Sequence, residues 1–351
     1  MTDSTILPPD GLPQMPLAAV DERPTLKTIA AATGLAVATV SRALKDAPDI
    51  GEETKRRVRE MAAQLGYRPN RAGVRLRTGK TNVIALVLSA EADVMNHTSQ
   101  LLYSIARTLK GTSYHLVVMP FFTDEDPMMP IRYIVETGSA DGVILNQTRP
   151  DDPRVRYMQE RGFPFATHGR TDMGIDHPFF DYDNEAYARQ AVRILQARGR
   201  KRLMIVAPPR AHAYARHMLT GFADEAARLG LAFEVAEGIT SDSPGHQIEV
   251  AIEARFRAAN PPDGLVLGST TATMASVHGA ERAGAVLGRD FDGVGKEAIP
   301  FLHRFRSELI VLREDVSRAG HFLAKAIIAA IERRAPERAQ FLDAPDPNEG
   351  L

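Results

Sequence analysis

One end of this 351-residue chain is strongly basic, although the chain as a whole is not. Residues 24–80 carry twelve Lys or Arg and five Asp or Glu, a formal charge of +7 (12 − 5), while the whole protein sums to −1. The remaining residues therefore carry −8 (−1 − 7). A basic segment on an acidic body is typical of a protein that places only one end on a phosphate backbone. The charge distribution thus predicts DNA binding through this segment.

The basic segment also has the pattern of three short helices. Thr25 is a candidate N-cap for a helix over 26–32, and Gly34 supplies the positive φ that a sharp turn needs. A second helix is expected over about 37–44, and Gly51 precedes a third. Two helices joined by a short glycine turn favour a helix-turn-helix unit, whose second helix enters the major groove. The alternative is a solvated helical bundle whose charges bind nothing.

Three strings in and beyond this segment carry a family pattern: TLKTIAAATGLAVATVSRALKDA, EETKRRVREMAAQLGYRPN and RAGVRLRTGKTNVIALVL. Together they resemble the lactose-repressor (LacI/GalR) family of bacterial transcription regulators, and family-like blocks continue to about residue 333. The combination of ATVSRAL with LGYRPN is highly specific. The resemblance implies a cytoplasmic homodimer, associated with the nucleoid when bound, that represses genes from a palindromic operator DNA. It also implies control by a small sugar effector.

The resemblance assigns DNA contacts to particular positions of this chain. Base-edge contacts fall to Val37, Ala38 and Arg42, of which Arg42 suits the O6 and N7 atoms of guanine. The implied DNA-binding set is Thr25, Leu26, Val37, Ala38, Thr39, Ser41, Arg42, Asn70 and Leu76. Residues 70–77 resemble the hinge helix of the family, in which a leucine at the position of Leu76 enters the minor groove. A helix of eight residues is marginal in water, so we expect it to be ordered only when DNA and a dimer partner hold it. The alternative is a plain linker.

From residue 81 the chain alternates apolar strands with amphipathic helices. Val83–Leu88 (VIALVL) is a continuous apolar run, which predicts a strand buried on both faces of a parallel sheet. About ten such strands are too many for one small sheet, so two doubly wound lobes are expected. The resemblance implies the same α/β two-lobe periplasmic-binding-protein-like fold, with chain crossings near Asp181–Asn184 and within about Gly295–Asp315.

These patterns give a domain plan for the chain. The Pro-rich, acidic residues 1–23 read as a disordered tail. A three-helix, helix-turn-helix DNA-binding domain is expected over 24–69, followed by the hinge over 70–79. The two-lobe effector-binding and dimerisation domain is expected over 80–340, and residues 341–351 form a second tail.

Polar side chains that directly follow the predicted strands are the candidates for effector binding. Ligands of open α/β sheets bind beyond the carboxyl ends of strands, which for two lobes means the cleft between them. The candidate set is Ser89, His97, Asn146, His168, Arg170, Asp181, Tyr214, Arg216, Thr270 and Lys296. Amides, carboxylates and Arg forks satisfy the hydroxyls of a sugar. For each residue the alternative is a loop side chain bonded to its own backbone.

The stretches RYIVETGSADGVI and FPFATHGRTDMG narrow the expected effector. They resemble a subgroup of the family linked with the use of α-glycosides, such as raffinose, other α-galactosides and α-glucosides. A purine or another metabolite acting as corepressor is the alternative effector.

Other function classes find less support in the sequence. The absence of cysteine excludes disulfides and thiolate chemistry. No cofactor, catalytic residue or membrane partner is expected. No metal site is expected either, because His212, His217 and His246 lack zinc-ligand spacing. A solute-binding protein would share the two lobes but not the basic segment. A sugar-acting enzyme using His168 or Asp181 lacks an acid pair whose spacing demands catalysis.

Overall fold

The computed structural model describes residues 24–67, 75, 79–89, 95–122, 124–335 and 339–348. The described chain divides into two compact units, one ending at Lys80 and the other beginning at Thr81. Asn70 and Leu76, and with them the predicted hinge contacts, lie outside the described residues. Within the described ranges no helix is long and apolar enough to cross a membrane.

The first unit contains the three predicted helices, α1 (Leu26–Thr33), α2 (Val37–Ala43) and α3 (Glu52–Gln64). Thr25 and Thr28 form a capping box at the start of α1, in which each side chain accepts a hydrogen bond from the other residue's backbone N–H. Gly34 ends α1 with φ 68°, as the predicted turn requires. One apolar side of each helix packs into a common core, which buries Ile29, Val40, Ala43, Val58 and Ala62.

The first lobe of the second unit is a parallel sheet in the order β11-β5-β4-β3-β1-β2. Its strands are β1 (Val83–Ser89), β2 (His115–Phe121), β3 (Gly142–Leu145), β4 (Phe165–His168), β5 (Phe179–Tyr182) and β11 (Gln340–Asp343). Its helices are α4 (Met95–Leu109), α5 (Met128–Thr137), α6 (Pro153–Glu160) and α12 (Val316–Ile331). Ile84 and Leu86 of β1 pack with α4 and α12, whereas Ala85 and Val87 pack with α5 and α6. The apolar run VIALVL is therefore buried on both faces, as predicted.

The second lobe is a parallel sheet in the order β10-β9-β8-β6-β7. Its strands are β6 (Arg202–Val206), β7 (Ala232–Val235), β8 (Gly264–Leu267), β9 (Asp292–Glu297) and β10 (Ile310–Arg313). Its helices are α7 (Asn184–Ala197), α8 (Ala213–Arg228), α9 (Gly245–Arg257), α10 (Thr270–Arg282) and α11 (Leu302–Phe305). One face of the sheet packs on α7 and α8, and the other face packs on α9 and α10.

The chain crosses between the lobes at two carboxylates that cap the following helix. Asp183 lies between β5 and α7 and accepts from the N–H of Ala186 at 3.0 Å. Asp315 lies between β10 and α12 and accepts from the N–H of Ser317 at 3.0 Å. Both crossings fall in the predicted intervals. Capping the helix is therefore a structural role for Asp183.

One predicted boundary is corrected by the sheet of the first lobe. Residues 341–343 were assigned to a C-terminal tail, but they belong to β11, which pairs in parallel with β5. The ring of Phe341 stacks on Phe180 with centroids 5.1 Å apart and also contacts Phe322 of α12. The effector domain therefore extends beyond residue 340, because this segment buries apolar surface against the first lobe.

Candidate DNA-binding helix and effector cleft

Helix α2 presents one exposed face that matches the predicted base-reading residues. Val37 is 41% exposed, Ala38 and Arg42 are also exposed, and Val40 and Ala43 point into the core. The Arg42 guanidinium forms an ion pair with the carboxylate of Asp49. Val37, Ala38 and Arg42 are thus the exposed side chains of α2, and their contact with a major groove stays a prediction.

Three of the predicted phosphate-contacting residues are at least partly exposed. Thr25 is exposed at the N-cap of α1, and Thr39 and Ser41 are half-buried on α2. Leu26 is half-buried against the core of the three helices, so part of its side chain serves packing.

In the second unit a cleft opens between the two lobes at the carboxyl ends of the strands. It encloses about 910 Å³ of space, including the solvent at its mouth. Six of the predicted effector residues line it: His97, His168, Asp181, Tyr214, Thr270 and Lys296. They come from both lobes, which is the arrangement expected for a ligand held at the switch points of open α/β sheets.

Four predicted effector residues lie elsewhere, each with a structural reason. Ser89 is buried at the end of β1 and is not part of the cleft wall. The Asn146 side chain accepts from the N–H of Gln147 at 2.6 Å, which is the local backbone role. Arg170 is not one of the residues that line the cleft, and its Nε lies 3.5 Å from Asp181 Oδ2. Arg216 points to a separate surface groove and pairs with Asp172 at 2.8 Å.

Glu314, which the sequence analysis missed, is the centre of the charged part of the cleft. Its Oε1 lies 3.1 Å from His97 Nε2, and its Oε2 lies 2.6 Å from Lys296 Nζ. Lys296 also donates to Asn184 Oδ1 at 3.1 Å. Burial opposes ionisation of Glu314, but the positive charge of Lys296 and the contact with His97 outweigh it, so the pKa of its carboxyl is held well below its usual range. Glu314 is thus an anion that neutralises Lys296.

Two imidazoles stack beside Glu314. The rings of His97 and His168 have centroids 5.0 Å apart, and His168 Nε2 lies 3.9 Å from Glu314 Oε1. Burial, with a smaller contribution from His97, lowers the pKa of His168 to about 3. The ring of His168 is therefore neutral at pH 7, with a lone pair for a donor or a metal ion.

Asp181 adds a second acidic group to the cleft wall. It is 4% exposed, and among the described residues no donor makes a hydrogen bond to its Oδ2. Burial raises the pKa of Asp181 to about 7, against the opposing charge of Arg170. Asp181 lines the cleft, and a side-chain rotation that exposed this carboxyl would let a ligand hydroxyl donate to it or accept from it.

The second lobe contributes mainly hydroxyl groups. Ser269 caps α10 through the N–H of Ala272 and donates to the carbonyl of Ser241 at 2.8 Å. Thr270 and Thr271 follow it into the cleft, where Ser241 and Asp242 also lie. Ser241 and Asp242 were not predicted, because the loop that holds them follows the short strand β7.

Sequence comparisons place these features in a known family. Residues 25–70 match the model described as "Bacterial regulatory proteins, lacI family". Residues 81–295 match "Periplasmic binding proteins and sugar binding domain of LacI family". The chain belongs to the LacI family. It is therefore a DNA-binding transcriptional regulator that responds to a sugar, and it is not an enzyme.

Individual proteins of this family are similar along most of the chain. The HTH-type transcriptional regulator AglR of Rhizobium meliloti (strain 1021) is 30% identical over 315 residues, covering 87% of each protein. The HTH-type transcriptional regulator RafR of Escherichia coli is 26% identical over 325 residues, covering 90% of this chain and 95% of RafR.

Solved structures agree on the fold. The lac repressor dimer bound to operator and the anti-inducer ONPF has a TM-score of 0.80 at 18% identity, covering 93% of this chain and 97% of that one. The transcriptional regulator CelR in complex with cellobiose has a TM-score of 0.66 at 20% identity, covering 92% and 98%.

Proposed function

We propose that this LacI-family regulator is a homodimeric repressor of carbohydrate-utilisation genes whose effector is a neutral oligosaccharide, in particular an α-glycoside. The main support is the charge state of the cleft. Lys296 is neutralised by Glu314, and the carboxyl groups of Asp242 and Glu297 also line the cleft, so a ligand need not supply negative charge. The remaining wall offers hydroxyl, amide and carboxyl groups, which match the alternating donors and acceptors of a polyol.

The comparisons support the sugar class but not the individual sugar. The solved CelR structure is a complex with cellobiose, a neutral disaccharide. The α-glycoside part of the proposal rests on the resemblance of the stretches around Asp141 and Arg170 to an α-glycoside subgroup.

At the DNA end, the α2 face carries the proposed base contacts. Arg42 would bind guanine, while Val37 and Ala38 offer only methyl groups, which suit thymine. Thr25, Thr39, Ser41 and Asn70 contact phosphates, and Leu76 enters the minor groove at the operator centre. The contacts of Asn70 and Leu76 rest on the sequence alone.

A homodimer supplies the second DNA-binding unit that a palindromic operator requires. The edge strand β2 supports such an interface, because Val117 and Val118 are exposed on it at 42% and 39%. Tyr103 on α4 and Tyr133 on α5 of the same lobe are more than half exposed. An apolar sheet edge of this kind calls for a partner. The regulator acts in the cytoplasm and at the nucleoid.

Control follows from linkage between the cleft and the operator. The sugar favours one arrangement of the lobes, and hinge order is coupled to that arrangement and to DNA binding. Coupling of this kind is typically about 1–3 kcal/mol and acts equally in both directions.

The test is isothermal titration calorimetry of the purified protein with raffinose, melibiose, maltose, sucrose, glucose and hypoxanthine. We expect one or more of the α-glycosides to bind, and Asp181→Asn to weaken that binding by roughly 1–3 kcal/mol. Asp151→Asn, at an exposed carboxylate on the same lobe, is the matched control and should bind as the parent does. Binding of hypoxanthine without binding of any sugar would refute the proposal in favour of a purine corepressor.

A further inference from the structure

We propose that His97, His168 and Glu314 form a binding site for a divalent transition-metal ion of the zinc class. The three side chains meet in the wall of the cleft, and their nearest nitrogen and oxygen atoms all lie within 4.8 Å of one another. Two imidazoles and one carboxylate are a ligand set that zinc takes in sites with an open fourth position.

The distances are close to those of a tetrahedral site. Metal–ligand bonds of about 2.0–2.2 Å place ligand atoms roughly 3.3 Å apart. Here Glu314 Oε1 lies 3.1 Å from His97 Nε2 and 3.9 Å from His168 Nε2. The three atoms therefore need shifts on the order of 1 Å to bind one ion. The His97 side chain is 26% exposed, so its ring has room to make that adjustment.

The surroundings hold two of the ligands in place before an ion arrives. His168 and Glu314 are buried, and the Glu314 carboxylate is oriented by Lys296 through the oxygen that faces away from the imidazoles. A carboxylate whose second oxygen already has a partner keeps the first oxygen directed at the metal. Lys296 also opposes the ion, because its ammonium places a like charge next to the site.

The position of the ligands explains why sequence spacing did not reveal them. His97 comes from α4 and His168 from the end of β4, both in the first lobe, while Glu314 follows β10 of the second lobe. A bound ion would tie the end of a second-lobe strand to the first lobe. Its open fourth position would face the cleft. The proposal does not depend on which effector the cleft binds.

The experiment is calorimetric titration of ZnCl₂ into the untagged, full-length protein after treatment with a chelator and its removal. We expect one ion per chain, and at least 10-fold weaker binding for His97→Gln. His278→Gln is the control, since His278 forms a surface pair with Glu249 at 2.9 Å outside the cleft and should not matter.

Cobalt provides a second reading of the same site. Co²⁺ added to the parent should give the intense visible absorption of four-coordinate cobalt, and the His97→Gln protein should lack it. The proposal is overturned if the parent shows no saturable zinc binding. It is also overturned if His97→Gln and His278→Gln bind zinc equally well.

Discussion

At the scale of single residues, the burial of Asp181 lowers the stability of the folded protein at neutral pH and places a polar group in the lining of the cleft. A carboxyl that is 4% exposed and lacks a hydrogen bond to Oδ2 among the described residues resists ionisation, and its pKa rises to about 7. In the unfolded chain an aspartate titrates near 3.9. When folding raises the pKa of an acid, the free energy of unfolding is larger at pH values below the unfolded pKa than at higher pH. That contribution is lost as the pH rises through the folded value.

Asp181→Asn should therefore unfold less easily than the parent at alkaline pH. The difference should be absent near pH 4, grow up to about pH 7 and then stay constant, at a size on the order of 2–4 kcal/mol. Urea unfolding at pH 4, 5.5, 7 and 8.5 measures it. Asp151→Asn is the control, because Asp151 is exposed. Parallel stability curves for the parent and Asp181→Asn would show that Asp181 ionises freely in the folded state.

For Arg42, two contacts compete, because the side chain must leave Asp49 to reach a base. Both side chains of that pair are about half exposed, and an exposed pair contributes only about 0–1 kcal/mol. A bidentate contact with guanine discriminates by about 1–3 kcal/mol, so the base should win. Arg42→Ala should weaken operator binding by that amount and relax preference at one base pair per half-site. Fluorescence anisotropy with single-substituted operators at one salt concentration measures both effects.

The control for Arg42 comes from α3. Arg56 is exposed and holds ion pairs with Glu53 and Glu60 on the same helix. Arg56→Ala should leave base preference unchanged. If both variants reduce affinity equally for every operator sequence, Arg42 contacts only the phosphate backbone.

At the scale of helices and strands, the sequence could predict the elements that have a clear period, a capping residue or a continuous apolar run. The three helices of the first unit and β1 were predicted to within one or two residues, because each shows a clear period or a capping residue. The strands β7 and β10 are four residues long, and their sequences AFEV and IVLR show too little periodicity to stand out. Missing β10 also meant missing Glu314, which the strand-end rule would otherwise have selected.

The close packing of α7 on α8 gives a prediction at this scale. A Cβ at Gly221 of α8 would lie 2.3 Å from the backbone carbonyl oxygen of Glu185 on α7. Alanine gains about 1 kcal/mol over glycine within a helix, but overpacking against a rigid backbone costs about 1–3 kcal/mol or more. Gly221→Ala should therefore lower the free energy of unfolding.

Gly245 provides the matched control for this change. A Cβ at Gly245, in the first turn of α9, would meet only side-chain atoms of Thr271 and Ala275 at 3.6 and 3.9 Å. Gly245→Ala should be neutral or slightly stabilising. Chemical denaturation of both variants at pH 7 makes the comparison, and equal stabilities would mean that α7 and α8 can move apart without cost.

At the scale of the second unit, direct contacts join the two lobes at one side of the cleft. The N–H of Ala213 in α8 donates to the carbonyl of Thr148 at 2.8 Å. Next to it, Arg216 of α8 pairs with Asp172, which follows β4, at 2.8 Å. Both contacts join a residue of the first lobe to a residue of the second. The sequence had assigned Arg216 to the effector, and this alternative role gives a different expectation for its removal.

A double-mutant cycle on Asp172 and Arg216 distinguishes the two roles. If the pair only joins the lobes, each single change to alanine removes the same exposed interaction, worth at most about 1 kcal/mol. The affinity for the sugar found by calorimetry should then change by no more than about 5-fold, and 0.5 M NaCl should reduce the change. The double variant should bind like either single variant, since the second change finds no interaction left to remove. A charged hydrogen bond from Arg216 to the sugar would instead make Arg216→Ala cost about 1.5–3 kcal/mol, or roughly 10- to 100-fold, while Asp172→Ala would cost far less. If the two single variants lose different amounts of sugar affinity and the losses add in the double variant, Arg216 belongs to the effector site. If the losses are equal and do not add, Arg216 is part of the contact between the lobes.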